Sequence, residues 1–226
     1  MRGYLFAVLA LCGAAPASAE VVSSSEAGFV IRLSAEVAAN ADDTWRTLVT
    51  PAQWWNKAHT FSGDAANLYI DSQATGCFCE KLPPAKDAPA GRRGGSVEHM
   101  RVIHVDPGKV LRMTGALGPL QSEALDGTMT ITLKPVGGKT RILWEYVVGG
   151  YMRFKPDEIA PAVNKVLAEQ LDGLAAKLGR SAPPAKGKGA AGATVSDPGF
   201  LSDTPSEGRA EARAGSKEEA SVEPTR

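Results

Sequence analysis

Residues Asp157–Gly179 read DEIAPAVNKVLAEQLDGLAAKLG, and this stretch decides the fold. Ile159, Val163, Val166, Leu167, Leu171, Leu174 and Leu178 recur at helical spacing and form one continuous apolar face. Asp157 is placed to cap the helix, Pro161 is tolerable in its first turn, and Gly179 stops it. A helix of about six turns with one dry face must lie on something apolar. The only partner of that size in this sequence is a sheet.

The sheet is written upstream. Phe29 to Val37 alternates, with Phe29, Ile31 and Leu33 on one face and Val30 and Arg32 on the other. Further strands are expected at 67–71, 77–82, 96–105, 110–114, 127–135 and 140–149. Thr128, Thr130 and Thr132 alternate with Met129, Ile131 and Leu133, the mark of a sheet with one wet and one dry face. Asp106-Pro107-Gly108 and Val136-Gly137-Gly138 supply turns. Between the first two strands, Asn40 or Asp42 caps a helix carrying Trp45, Leu48 and Val49, and Thr50-Pro51 ends it. Pro51 can then start a short second helix bearing Trp54 and Trp55. Residues 83–95, with Arg92 and Arg93, make a long loop.

The ends differ from the middle. Residues 1–19 read as a secretory signal: Arg2, an apolar run Tyr4–Leu11, a break at Pro16 and an Ala17-Ser18-Ala19 cleavage site. The run is too short to span a bilayer, and no other run approaches the roughly 20 residues needed, so no transmembrane helix is expected in the mature chain. The expectation is an exported protein, periplasmic or secreted. Residues 20–28 are a polar lead-in, and 180–226, rich in Ala, Gly, Pro, Ser, Lys and Glu, read as a disordered tail.

Lys+Arg and Asp+Glu balance at 25 each among 226 residues, and no basic stripe with stacking aromatics occurs. Nucleic acid is therefore not an expected partner. Cys77 and Cys79 are the only cysteines after the signal. In an extended strand their Cα atoms would stand about 6.6 Å apart, so a bond between them requires a bulge or turn. Two readings stand: a strained bridge, or two small apolar residues on a core face. Neither the cysteines nor His59, His99 and His104 match a metal site, and no cofactor motif occurs.

Strand, two short helices, a run of antiparallel strands and a long closing helix is an order with a known counterpart. With Trp45, Thr50-Pro51, Trp54-Trp55, His59, the Val102–Pro107 strand and its Asp-Pro turn, Leu111, Gly127 and Thr140, the sequence over 29–179 resembles the START-like, polyketide cyclase superfamily (SRPBCC). It is most similar to the small bacterial branch related to the chaperone-ATPase activator domain. The resemblance implies an α+β helix-grip fold, with a curved antiparallel sheet of six to seven strands wrapped around the C-terminal helix. It also implies a cavity between them that takes an apolar or amphipathic small molecule. No single catalytic motif carries over, so function must be argued from the cavity.

Facing arguments select Trp54, Trp55, Met113, Trp144, Tyr146, Tyr151 and Met152 as its wall. Ala116–Gln121 is an apolar loop suited to a lid, or to packing on the first strand, and residues 151–154 are a second gate. The catalytic alternative is a cyclase or dehydratase in which His59, His99 or Glu80 acts as general acid or base. Glu80 shares a face with Phe78, opposite the cysteines, and either face can be the inner one. If Phe78 is inside, Glu80 is a buried carboxylate that needs Arg101 or His99. A Glu80–His99 pair would serve either proton transfer or structure. A third reading is a protein-interaction domain with a protein partner on the sheet or lid.

Overall fold

The computed structural model describes residues 18–181. The expected signal up to Ala17, and the expected tail beyond Ser181 with Lys186 and Lys188, lie outside the described residues.

Eight strands form one antiparallel sheet: β1 (Ser18–Ser25), β2 (Gly28–Val37), β3 (Leu68–Ile70), β4 (Cys77–Leu82), β5 (Gly95–Asp106), β6 (Val110–Thr114), β7 (Ala124–Val136) and β8 (Lys139–Tyr151). Their order across the sheet is β1-β2-β8-β7-β6-β5-β4-β3. Two helices complete the fold, α1 (Ala41–Leu48) and α2 (Pro156–Lys177). Short 3-10 turns lie at Pro51–Gln53, Lys57–His59, Ala65–Asn67 and Gly118–Ser122.

The fold is the expected α+β helix-grip arrangement, with one strand more than the six to seven expected. The extra strand is β1, built from most of the lead-in. Its sequence, SAEVVSSS, offers only Ala19 and Val21 to the core, so apolar alternation does not announce it. Backbone pairing with β2 creates it instead, from Ser18 opposite Ser34 to Ser25 opposite Gly28. Ser18 and Ala19, at the expected cleavage site, are its first residues.

β2 shows the predicted alternation, with Phe29, Ile31, Leu33, Ala35 and Val37 buried. β7 and β8 form a long hairpin through Gly137 and Gly138, both at positive φ, as a two-residue turn requires. The outer face is polar and cross-braced: Arg32 meets Glu145 at 2.6 Å and Arg141 meets Glu36 at 2.7 Å.

α2 packs on β1 and β2 and sends Leu167, Leu171 and Leu174 into the core. Each such leucine contributes about 1.5–3 kcal/mol of burial. Gly173 sets the approach, since a Cβ there would stand 2.4 Å from the carbonyl oxygen of Trp54. Two cap assignments are settled. Asn40 caps α1, its side chain accepting the Asp43 N–H at 2.9 Å. At α2 the expected Asp157 cap is corrected: Lys155 is the N-cap and Pro156 takes the first helical position. Asp157 and Glu158 instead oppose the positive end of the helix from within its first turn. After the helix, Arg180 bridges Val37 and the Ser181 N–H donates to Glu36 at 2.8 Å, so pairing runs two residues into the segment assigned to the tail.

Candidate functional site

β4 and β5 are not in simple register. Phe78 faces Met100 but Cys79 faces Glu98, leaving His99 as an extra residue on β5. Such a bulge breaks alternation and re-aims a side chain. Here it puts the neighbours His99 and Met100 both inside, 6% and 1% exposed. On β4 the inner face is that of Phe78 and Glu80, so the cysteines lie on the other. Cys77 and Cys79 form a disulfide with their Cα atoms 5.4 Å apart, next to this register shift.

Glu80 is fully buried and its carboxylate is well supplied with donors. The Phe61 N–H donates to Oε2 at 3.0 Å, the Ser62 N–H donates to Oε1, and His99 Nε2 lies 3.0 Å from Oε2. Arg101, the other expected partner, pairs with Glu98 instead. Burial pushes the Glu80 carboxyl up, but hydrogen bonds from Ser62, Phe61 and His99 outweigh it and hold it below its ordinary range. Burial also lowers His99, against the opposing pull of Glu80. The pair is therefore a carboxylate and a neutral imidazole at neutral pH. Two backbone N–H groups make Glu80 an acceptor, so His99 Nε2 carries the proton and Nδ1 keeps a lone pair. No described residue bonds Nδ1.

The His99 ring is close to two phenylalanines, 4.8 Å from Phe78 and 5.8 Å from Phe61. These two rings belong to different cavities. Phe78 lines an interior pocket with Trp54, Trp55, Met113, Trp144 and Leu167, in which only about 20 Å³ is free. That is about the space of one water, with no polar lining to hold it. Phe61, 57% exposed, lines an open cleft of about 600 Å³ with His59, Pro119, Gln121, Ser122 and Val166. The two spaces adjoin at the Leu117–Gly118 step and at the Trp55 indole, whose N–H donates to the His59 carbonyl at 3.0 Å, and the His99 ring touches one lining residue of each, Phe78 and Phe61.

Four of the residues read as cavity wall, Trp54, Trp55, Met113 and Trp144, thus line the interior. Tyr146 is buried but lines neither space, because Gly115 and Leu117 take its hydroxyl at 3.2 Å each. Burial raises its pKa far beyond the physiological range. Tyr151 is 72% exposed and Met152 half-buried, outside both linings. His59 stands at the cleft, its Nε2 3.1 Å from Glu169 of α2. The turn Gly118–Ser122, which overlaps the Ala116–Gln121 loop expected as a lid, forms one cleft wall. Buried Leu120 anchors that segment, and Gln121 donates to the Glu98 carbonyl at 3.1 Å.

Sequence reasoning missed Phe61 and Ser62, since they bind Glu80 through backbone N–H groups that leave no side-chain signal. It also missed the tie between Glu123 and Arg153, which joins the end of the Gly118–Ser122 turn to the segment before α2.

The family model described as polyketide cyclase / dehydrase and lipid transport matches residues 29–179. The chain belongs to this family. The match spans β2 to the end of α2, and therefore both cavities and the Glu80–His99 pair. Among curated proteins none matches the sequence. Among solved structures the fold is similar to that of an uncharacterised protein from Rhizobium leguminosarum, at 16% identity, covering 73% of this chain and 98% of that one, with a TM-score of 0.45. CalU16 from Micromonospora echinospora is similar at 15% identity, over 74% and 86% of the two chains, with a TM-score of 0.43. The Aha1 dimer from Colwellia psychrerythraea is similar at 13% identity, over 66% and 95%, with a TM-score of 0.43.

Proposed function

We propose that the domain binds a small apolar or amphipathic molecule, with the cleft beside Phe61 and Pro119 as its entrance. The observation that carries this reading is the pairing of an open, partly apolar cleft of about 600 Å³ with an apolar interior that adjoins it. The cleft's size suits a ligand of a few rings or a short chain. The interior has little free volume, so the ligand's apolar end enters only as the methionines Met100, Met113 and Met129 repack. Lipid transport in the family's description supports the same class of ligand.

We further propose that the protein is exported, cut after Ala19, and meets its ligand in the periplasm or outside the cell. The Ala17-Ser18-Ala19 site and the Cys77–Cys79 bridge support this. Cleavage there leaves Glu20–Ser25 to serve as β1.

Native mass spectrometry of the mature protein from its own host tests both statements. A co-purifying apolar molecule lost on organic extraction, on a chain beginning at Glu20, is the expected result. A chain that keeps its first 19 residues overturns export. A chain that arrives empty and takes up no apolar probe overturns the binding reading.

The buried Glu80–His99 pair favours a second reading, a cyclase or dehydratase in which His99 removes a proton from a carbonyl compound. Exchange of α-protons of a bound ketone with D₂O, abolished by His99→Gln, is its signature.

A further inference from the structure

Against the cleft residue Phe61 lies one polar side chain whose hydrogen bonding is incomplete among the described residues. His99 is only 6% exposed, and its Nε2 is committed to Glu80. Its Nδ1 has no partner among the described residues, yet it is not sealed among the buried unpartnered atoms, which are Thr44 Oγ1, Trp144 Nε1 and Asn164 Oδ1. An imidazole edge in this state is an acceptor waiting for a donor.

Its surroundings define the donor. Glu80 places a negative charge 3.0 Å from the other ring nitrogen. Among the described residues no Lys or Arg lines the cleft, and His59, the only basic lining residue among them, is engaged by Glu169. An anion approaching His99 would therefore meet a lone pair backed by a carboxylate, with no cation to compensate. A hydrocarbon would leave Nδ1 unbonded in a desolvated site. A group that fits is uncharged and donates one hydrogen bond.

We propose that His99 Nδ1 accepts a hydrogen bond from an uncharged hydroxyl group of the ligand, a phenol or alcohol, and that the site discriminates against carboxylates of the same shape. The inference rests on the ligand-binding reading and narrows it. Glu80 is then a positioning residue: it fixes the tautomer that leaves Nδ1 as acceptor. Phe61, beside the His99 ring in the cleft, supplies apolar surface for the body of the ligand.

The test is an NMR titration of the full protein at neutral pH with three probes that share one ring system: 2-naphthol, naphthalene and 2-naphthoate. Affinities are read from the amides of Phe61 and Gln121, and the ¹⁵N shift of His99 Nδ1 is followed in the same samples. The expected order is 2-naphthol tightest, by about tenfold over naphthalene, with 2-naphthoate weakest. Only 2-naphthol should move Nδ1 in the direction of an acceptor gaining a bond. His99→Phe should equalise naphthol and naphthalene, and the Nδ1 shift in the unaltered protein decides the matter if that variant does not fold. Equal binding of naphthol and naphthalene with a silent Nδ1, or naphthoate binding as tightly as naphthol, overturns the hydroxyl inference and leaves the cleft reading intact. Failure of all three probes to bind overturns both.

Discussion

His99 Nε2 and Glu80 Oε2 stand 3.0 Å apart because a bulge on β5 turns His99 inward, opposite a carboxylate already bound by the Phe61 and Ser62 N–H groups. Both members have depressed pKa values, Glu80 below 4.5 and His99 below 6.5. A group whose folded pKa lies below its unfolded value binds more protons when unfolded, so its contribution is complete above the unfolded pKa and is lost as pH falls through the folded one. Stability should therefore decline on acidification in two stages, the first beginning below about pH 6.5 and the second below about 4.5. Urea titrations from pH 8 to 4 will show this, and His99→Gln, which keeps a donor for Glu80, should flatten the first stage alone. An unchanged first stage would assign it to another group.

Glu80→Ala should be among the costliest single substitutions in the domain, at about 3 kcal/mol or more. It strands the Phe61 and Ser62 N–H groups and removes the partner of a buried imidazole at once. Because Phe61 belongs to the cleft wall and Ser62 follows it, hydrogen exchange at Phe61 and Ser62 should accelerate more than exchange in β7 or β8. Uniform acceleration would mean that Glu80 supports the whole sheet rather than this wall.

Gly173→Ala sets two effects of opposite sign against each other. Alanine gains about 1 kcal/mol over glycine in a helix interior. Its Cβ, however, would stand 2.4 Å from the Trp54 carbonyl oxygen, a backbone atom held by the Pro51–Gln53 turn. Relief needs a shift of α2 away from Trp54, and overpacking of this kind costs about 1–3 kcal/mol. The clash should win, lowering the midpoint of thermal unfolding. A stabilised variant would show that α2 slides freely on this surface.

The outline was legible where periodicity was unbroken. β4 and β6 occupy the spans expected of them, and the β2 faces are as read, since a half-buried strand needs only alternation. The site was harder, because its geometry rests on features that alternation does not encode. The facing of His99 depends on a bulge, the partners of Glu80 are backbone groups, and the outer strand β1 is polar. Trp54, Trp55, Met113 and Trp144 all lie along the interior pocket. Their mutual packing, with Trp54 6.0 Å from Trp144 and 5.5 Å from Trp55, fills most of the space they enclose.

The Cys77–Cys79 bridge closes a very short ring, so chain entropy predicts a contribution of only about 1.6 kcal/mol. Cys77→Ala with Cys79→Ala should keep the fold and lower stability by no more than about that amount. Phe78 sits between the two cysteines in sequence and packs its ring at a tilt against both Trp55 and His99, at 5.1 and 4.8 Å. If the bridge sets the pitch of β4, its removal should appear as ring-current shifts at His99 as well as in the melt. A loss well beyond the entropic figure would mean that the bridge, although within β4, fixes the backbone geometry through which β4 pairs with β5.

The tie between Glu123 and Arg153 joins the end of the Gly118–Ser122 segment at the cleft to the chain before α2. The Glu123 carboxylate is 1% exposed and takes the Arg153 backbone N–H at 2.7 Å and its guanidinium at 2.6 Å, while the Arg153 side chain is 66% exposed. Hydrogen bonds from the Arg153 side chain, then its backbone, hold Glu123 below its ordinary pKa. An ion pair with one arm in water is screened and adds little to global stability. Its effect should be local, because Glu123 directly follows Ser122 at the cleft. Arg153→Ala leaves the backbone bond and removes the rest. Thermal stability should barely change, while hydrogen exchange at Leu120–Ser122 rises several-fold and ligand release from the cleft quickens. If exchange stays at its original rate, burial of Leu120 alone holds the segment in place, and Leu120→Ala becomes the variant that releases it.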